Sequence, residues 1–346
     1  MSVLSGVTEF FGLDIGTSAI RLVELHGAGK SKSLVKYAFV PLDSTISMSE
    51  SDADRQKLAQ LIKGLVEQSG VTTKNVAVGL PSQRVFTTVV DIEKLSDSEI
   101  AKTIQYQADS LIPTPVADSK IDWAVLGDSP KEKNKVEVLL SSVSNAFIEA
   151  RLEMLESIGL NVIAFEPEHM ALTRAVIPSG TVSPQMVVDI GNKATDIVVS
   201  MNGAPRLARA IPTGSEAIIR SAVQTLGITQ QQAEQFVNKF GLNKEKLEGQ
   251  IYNAIIGTID ILATEIDKSI KFFQTRYPGS QIDRIIMTGG ASALPEFPLY
   301  IANKFGLNVE IGNAWRNVSF PADRQNELLA ASNHFGVAAG LAERDV

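Results

Sequence analysis

Apolar and polar positions alternate from Phe10-Phe11-Gly12-Leu13 to Asp14-Ile15. They alternate again from Ile20 to Leu25, with Gly16-Thr17-Ser18 between the two runs. That period belongs to half-buried strands, and the small polar residues supply the tight turn of a hairpin. The pattern returns half a chain later. Val187-Val188-Asp189-Ile190-Gly191-Asn192-Lys193-Ala194-Thr195-Asp196-Ile197-Val198-Val199 repeats strand, Asp-Ile-Gly, polar turn and strand. An internal repeat sets the architecture, so two similar domains facing one another are expected.

The rest of the first half predicts a third strand over Ser33–Val40 and an amphipathic helix over Asp52–Ser69. Leu58, Leu61, Ile62, Leu65 and Val66 form its apolar face, and Gly70 stops it. Val76–Leu80 reads as a buried strand. The texture then changes. A strand over Val85–Val90 is followed by the capping-box pair Ser96 and Glu99 and by a helix striped with Ile100, Ile104, Ala108 and Leu111. Pro113 ends that helix. Strands over Ile121–Leu126 and Val136–Val143, a helix capped by Asn145 and stopped by Gly159, and a strand over Leu160–Phe165 complete a βαββαβ unit inserted at 85–160.

Glu166-Pro167 reads as the start of the next helix, with proline at its favoured first position. In the second half, Asn202-Gly203 marks a hairpin turn. Gly214 opens a helix that ends at Gly227, and Thr229 with Gln232 caps another. A long apolar stripe predicts one helix over Asn243–Tyr277. Ile282–Met287 is a strand leading into Thr288-Gly289-Gly290-Ala291-Ser292, then a helix introduced by Pro295. A closing helix carries the small residues of Phe335–Gly340.

Composition narrows the function classes. The chain has 346 residues, enough for two cores, and 44% of them are hydrophobic. A net charge of −7 with no basic block argues against nucleic-acid binding. Without cysteine there are no disulfides and no thiol catalysis. Met1–Val7 lacks a basic region and a long apolar run, so no signal peptide is expected. No window reaches the length of a membrane span, and the short acidic run Leu341–Val346 makes no basic amphipathic tail. His26-Gly27-Ala28-Gly29-Lys30-Ser31 superficially suggests a phosphate loop, but Glu24 stands where its first glycine belongs, and the run reads as a hairpin turn.

The candidate chemistry lies in the repeats. Gly16 lets a ligand approach the backbone, and the N–H groups of the turn, with the Thr17 and Ser18 hydroxyls, make an anion-binding concavity. Asp14 would repel a bare phosphate unless a cation such as Mg²⁺ sits between them. Thr288-Gly289-Gly290 adds a glycine turn from strand to helix, a further site for an anionic or heteroatom-rich ligand.

These three elements, in this order, resemble the two phosphate motifs and the adenosine motif of the actin-like ATPase superfamily. The resemblance implies an α/β actin-like ATPase fold: two RNase H-like domains with ATP and Mg²⁺ between them. Within the superfamily the chain most resembles the PilM family of type IV pilus assembly. The inserted subdomain (1C), the run Tyr106-Gln107-Ala108-Asp109-Ser110-Leu111-Ile112-Pro113 and the C-terminal Phe-Gly-Val-Ala-Ala-Gly-Leu-Ala carry that likeness. It places domain I (1A) at 7–84 and 161–182 with the C-terminal helix 333–346, and 1C at 85–160. Domain II (2A) falls at 183–227 and 280–332, and helical 2B at 228–279.

Carried over residue by residue, Asp14 and Asp189 match the Mg²⁺-directed aspartates, acting through water, and Gly16, Thr17 and Ser18 match the first phosphate turn. The second turn departs from the usual glycine-rich form: Gly191, Asn192 and Lys193 put side chains where relatives use backbone. Gly214 and Ser215 stand at a common Gly-Gly. Glu234 matches a ribose-contacting glutamate, although Val237 replaces the lysine usual three residues on. Gly289, Gly290 and Ala291 match the adenosine turn, and Glu166 resembles a water-positioning glutamate. The implied function is a cytoplasmic ATP-binding adaptor with slow or no hydrolysis, held at the inner membrane by the cytoplasmic N-terminal peptide of PilN. That peptide is expected in a groove between insert and first domain, walled by Val85–Val90 and Ser98–Leu111. A filament-forming protein like FtsA or MreB, or a kinase resembling sugar kinases, are the alternatives.

Overall fold

Each hairpin grows into its own five-stranded sheet, and the two sheets share one topology. The computed structural model describes residues 9–345 apart from 28 and 30. The stretch Met1–Val7, the first two residues assigned to domain I, part of the His26–Ser31 turn and Val346 lie outside the described residues. In the first half come β1 (Phe11–Ile15), β2 (Ala19–His26), β3 (Ser33–Pro41), α1 (Ser44–Met48), α2 (Asp52–Ser69) and β4 (Asn75–Leu80). The insert follows, with β5 (Val85–Glu93), α3 (Asp97–Leu111), β6 (Ser119–Asp128) and β7 (Lys135–Ser144). The chain then returns through α4 (Asn145–Ser157), β8 (Asn161–Pro167) and α5 (Glu168–Val176). The second half holds β9 (Gln185–Ile190), β10 (Thr195–Met201), β11 (Ala204–Ile211), α6 (Ser215–Leu226), α7 (Gln230–Phe240) and α8 (Gln250–Arg276). It closes with β12 (Arg284–Thr288), α9 (Phe297–Phe305), β13 (Asn308–Ile311), α10 (Gln325–Ala331) and α11 (Gly336–Ala342).

Lobe I has the order β3-β2-β1-β4-β8 and lobe II the order β11-β10-β9-β12-β13. In both, the hairpin strands pair antiparallel and the two added strands pair parallel. This doubled topology is the structural form of the sequence repeat. One core lies under the lobe I sheet, against α2 and α4, and another fills lobe II around α6, α7 and α8. A third joins the lobes: Ala77 and Val23 of sheet I, Val187 and Ile286 of sheet II, and the helices α5 and α11 between them. The small residues of α11 make that packing possible, since a Cβ on Gly340 would lie 1.8 Å from the Ala171 carbonyl oxygen.

Four expectations change. The βαββαβ unit does not close on itself: only β5, β7 and β6 form the insert's sheet, β8 pairs with β4 as the lobe I edge, and Met154 and Leu155 of α4, inside 85–160, enter the lobe I core. Asn145 is the first residue of α4, after Ser144, and donates to the Ala117 carbonyl at 3.0 Å. The long helix starts at Gln250 because Leu247 and Glu248 adopt left-handed backbone, so the periodic stripe overruns a kink. Finally, the strand continues through Pro167, which an edge strand tolerates, and the helix begins at Glu168. The capping boxes at Ser96 and Thr229 are present as expected.

Candidate functional site

The two sheets deliver matching carboxylates to one cleft. Asp14 is the penultimate residue of β1 and Asp189 the penultimate residue of β9. Hairpin register sets a cross-strand partner opposite each: Arg21 opposite Asp14 and Asp196 opposite Asp189. The cavity between the lobes measures about 600 Å³, and Gly16, Thr17, Ser18, Gly191, Asn192, Lys193, Ser215, Glu234, Gly289 and Gly290 all line it. Thus most of the residues singled out in the sequence converge on one space.

The turns are held from behind. Gly16 N–H donates to the Ala19 carbonyl at 3.1 Å. Gly214 does not line the cavity. Beneath the second turn, Ser215 and Glu216 N–H groups donate to the carbonyls of Gly191 and Asn192 at 2.9 and 3.1 Å. Lys193 is ion-paired with Glu216. In the third turn, Gly289 has φ +82°, and a Cβ there would fall 2.4 Å from the Ile190 carbonyl oxygen, so glycine is required. Ala291 is buried behind it. The glycine turn leads into a short 3₁₀ segment, Gly290–Ala293, with α9 starting only at Phe297. Val237 packs in the lobe II core, away from the cavity.

Glu166 is in the wrong place for work in the cleft. Its buried carboxylate accepts from Arg174 at 3.3 Å and from Arg344 at 3.0 Å, a structural pairing that closes the end of α5 against the C-terminus. Glu168, two residues on, lines the cavity instead.

Asp14, Glu168, Asp189 and Asp196 therefore all line the one cavity. Burial pushes Asp14 up to about 6, against the pull of Arg21 and with added repulsion from Asp189. It pushes Asp196 up to about 7, again helped by Asp189, and raises Asp189 despite a 2.8 Å hydrogen bond from Thr288 Oγ1. Glu168 is raised well above the usual range by burial and then by the three aspartates. Among the described residues Glu168 Oε1 and Asp196 Oδ1 have no hydrogen-bond partner. Crowded, unsatisfied carboxylates of this kind call for a cation. Among the described residues no three carboxylates or histidines converge closely enough to ligate a metal directly. Asp196 and Arg21 were legible as hairpin partners of the two aspartates; Glu168 carried no such signal.

Two duplicated lobes around a carboxylate-lined cleft, with glycine turns on either side, define an actin-like ATPase fold. MreB5 of Spiroplasma citri bound to AMPPNP is similar, with a TM-score of 0.56, 13% identity, and coverage of 96% of this chain and 95% of that one. A chain of the PilM–PilN type IV pilus biogenesis complex superposes with a TM-score of 0.83 at 24% identity, covering 96% of this chain and 97% of that one. Cell division protein FtsA of Bacillus subtilis (strain 168) is 23% identical over 328 residues, 83% of this chain and 74% of FtsA. The sequence model of the type IV pilus assembly protein PilM family matches residues 12–346, and the chain belongs to that family.

Proposed function

We propose that this chain is an ATP-dependent assembly adaptor of the type IV pilus inner-membrane platform, holding Mg²⁺-ATP between its lobes and the cytoplasmic N-terminal peptide of PilN at its insert. The observation that carries the reading is the convergence of Asp14, Asp189 and three ligand-ready turns from separate parts of the chain on one 600 Å³ cleft. The burial-raised carboxylates of Asp14 and Asp189, with the unpaired oxygens of Glu168 and Asp196 beside them, fit a hydrated divalent ion, and the turns fit phosphate oxygens.

In this assignment Asp14 and Asp189 hold the cation through water. Gly16, Thr17 and Ser18 on one side and Gly191, Asn192 and Lys193 on the other hold phosphate oxygens. Lys193 exchanges Glu216 for phosphate when it does so. Gly289, Gly290 and Glu234 receive the nucleoside. Bound Mg²⁺ supplies charge neutralisation at the phosphates. Glu168, which faces the cleft, takes the water-orienting role that the sequence gave to Glu166. ATP binding sets the angle between the lobes, and any hydrolysis is slow.

The insert is suited to a partner. Helix α3 buries Ile100, Ile104 and Ala108 and leaves Tyr106 89% exposed. Among the described residues no helix is long and apolar enough to cross a membrane, so attachment falls to the partner. The test is calorimetric titration of the full chain with the PilN peptide, with and without Mg²⁺-ATP. Nucleotide-dependent peptide affinity is expected; identical affinity in both conditions would remove the adaptor reading.

A further inference from the structure

The cleft does not end at the phosphate turns. Its lobe I end continues past Glu168 to a wall of different chemistry, made by Arg84 after β4 and by Phe147 and Arg151 of α4. Two guanidiniums share one ring: Arg84 Cζ lies 5.5 Å and Arg151 Cζ 5.3 Å from the Phe147 centroid. The ring attracts both, while the two cations repel each other. Arg84 finds a counter-charge at the rim, 2.9 Å from the exposed Glu50. Arg151 makes no ion pair or hydrogen bond with any described residue. Burial presses its pKa down to about 10, Glu168 attracts it from a distance, and Arg84 pushes against it.

Arg151 is half-buried, lines the cavity and has no counter-ion among the described residues, so an anion entering the cleft gains a charge-assisted partner there. Its planar fork matches two oxygens of one oxyanion. Glu168 does not fill that role: among the described residues its Oε1 has no hydrogen-bond partner, and it makes no ion pair with Arg151. The turn at Gly16–Ser18 lines the same cavity.

We propose that Arg151, assisted by Arg84 and positioned by Phe147, is the receptor for a phosphate oxyanion at the lobe I end of the cleft. The oxyanion is either free inorganic phosphate or the terminal phosphate of a bound nucleoside triphosphate. The free-phosphate arm stands without the nucleotide assignment; the second arm rests on it.

Inorganic phosphate is titrated into the nucleotide-free full chain and followed by calorimetry, with circular dichroism as the folding control. Arg151→Ala is expected to weaken phosphate binding by about tenfold or more, and Arg151→Lys by less, because the charge survives without the fork. AMPPNP and ADP are then compared in Mg²⁺ buffer. If Arg151 reads the attached phosphate, Arg151→Ala lowers AMPPNP affinity by about tenfold and ADP affinity by less than about twofold. If it takes the freed phosphate, only phosphate binding to the ADP complex is lost. Phosphate binding that depends on Arg151 in a chain that binds no nucleotide would refute the nucleotide reading and leave this one standing. Unchanged phosphate and AMPPNP binding in folded Arg151→Ala overturns the proposal, as does a loss confined to the PilN peptide. Should Arg151→Ala not fold, Arg84→Ala at the more open position replaces it, and unchanged phosphate binding there is equally fatal.

Discussion

Removing the Glu137 carboxylate should loosen the insert from lobe II, and the structure sets the scale of the effect. Glu137 sits on β7 with its side chain 2% exposed. It accepts from Arg206 of β11 at 2.7 Å, from Arg276 Nε at the end of α8 at 2.9 Å and from the Tyr277 hydroxyl at 2.8 Å. Asp91 of β5 takes a second nitrogen of Arg276 at 3.0 Å, so two carboxylates balance two guanidiniums. Burial and the bond to Glu137 push Tyr277 up to about 12, which keeps its hydroxyl a donor. Glu137→Ala leaves Arg206, itself only 5% exposed, with the Leu126 carbonyl as its remaining partner. Breaking a buried pair from one side costs about 3–5 kcal/mol. Spread over an unfolding entropy of roughly 0.7 kcal/mol per degree for a chain this long, that lowers Tm by about 4–7 °C if the chain melts as one unit. Glu137→Gln keeps the shape and an acceptor, so it should fall between. The exposed pair Lys94–Asp128, 62% and 75% accessible, should lose under about 1 kcal/mol when broken. Scanning calorimetry reads the total, and hydrogen exchange over β5 and β7 reads the insert. A drop below about 1 kcal/mol, with exchange in the insert unchanged, would refute the claim that this network fastens it.

Further outcomes follow from the same geometry. Asp14→Ala should weaken Mg²⁺-ATP binding more than metal-free ATP binding, because the carboxylate works through the cation; equal losses in the two titrations would make Asp14 only structural. Lys193→Ala should weaken ATP by roughly tenfold and leave adenosine unchanged, since it removes one charge-assisted contact; an unaltered ATP-to-adenosine ratio would leave the lysine with Glu216. Acidification from about pH 8 to about pH 5.5 should weaken Mg²⁺-ATP as Asp196 (about 7) and Asp14 (about 6) take up protons. The metal-free chain should behave oppositely in a melting series, losing stability as pH rises through the same window, because its raised carboxyls hold protons the unfolded chain has released. Replacing residues 86–142 by a short turn should abolish PilN-peptide binding and preserve ATP binding, since Val85 and Val143 are register partners and the ends are already adjacent; retained peptide binding would move that site off the insert. Cutting on to 160 would instead remove Met154 and Leu155 from the lobe I core and unfold it.

Local chemistry made much of this protein readable in advance. The alternation around Asp14 and Asp189 specifies two hairpins whatever surrounds them, because side-chain period and turn residues are properties of adjacent positions. The capping boxes at Ser96 and Thr229 and the small residues of α11 are local in the same sense, and the doubled Asp-Ile-Gly was enough to predict two facing lobes. What lay beyond reach depended on partners distant in the chain. Whether the strand at Leu160–Phe165 completed the insert or lobe I turned on its pairing with β4, more than eighty residues earlier. The start of α8 turned on two left-handed residues that an apolar stripe does not register. Glu166 and Glu168 differ by two positions in sequence, yet one is tied to Arg174 and Arg344 and the other faces three aspartates. Sequence supplied the charges; only the packing of β8, α5 and the C-terminus decided which carboxylate was neutralised by arginine and which was left to the cleft.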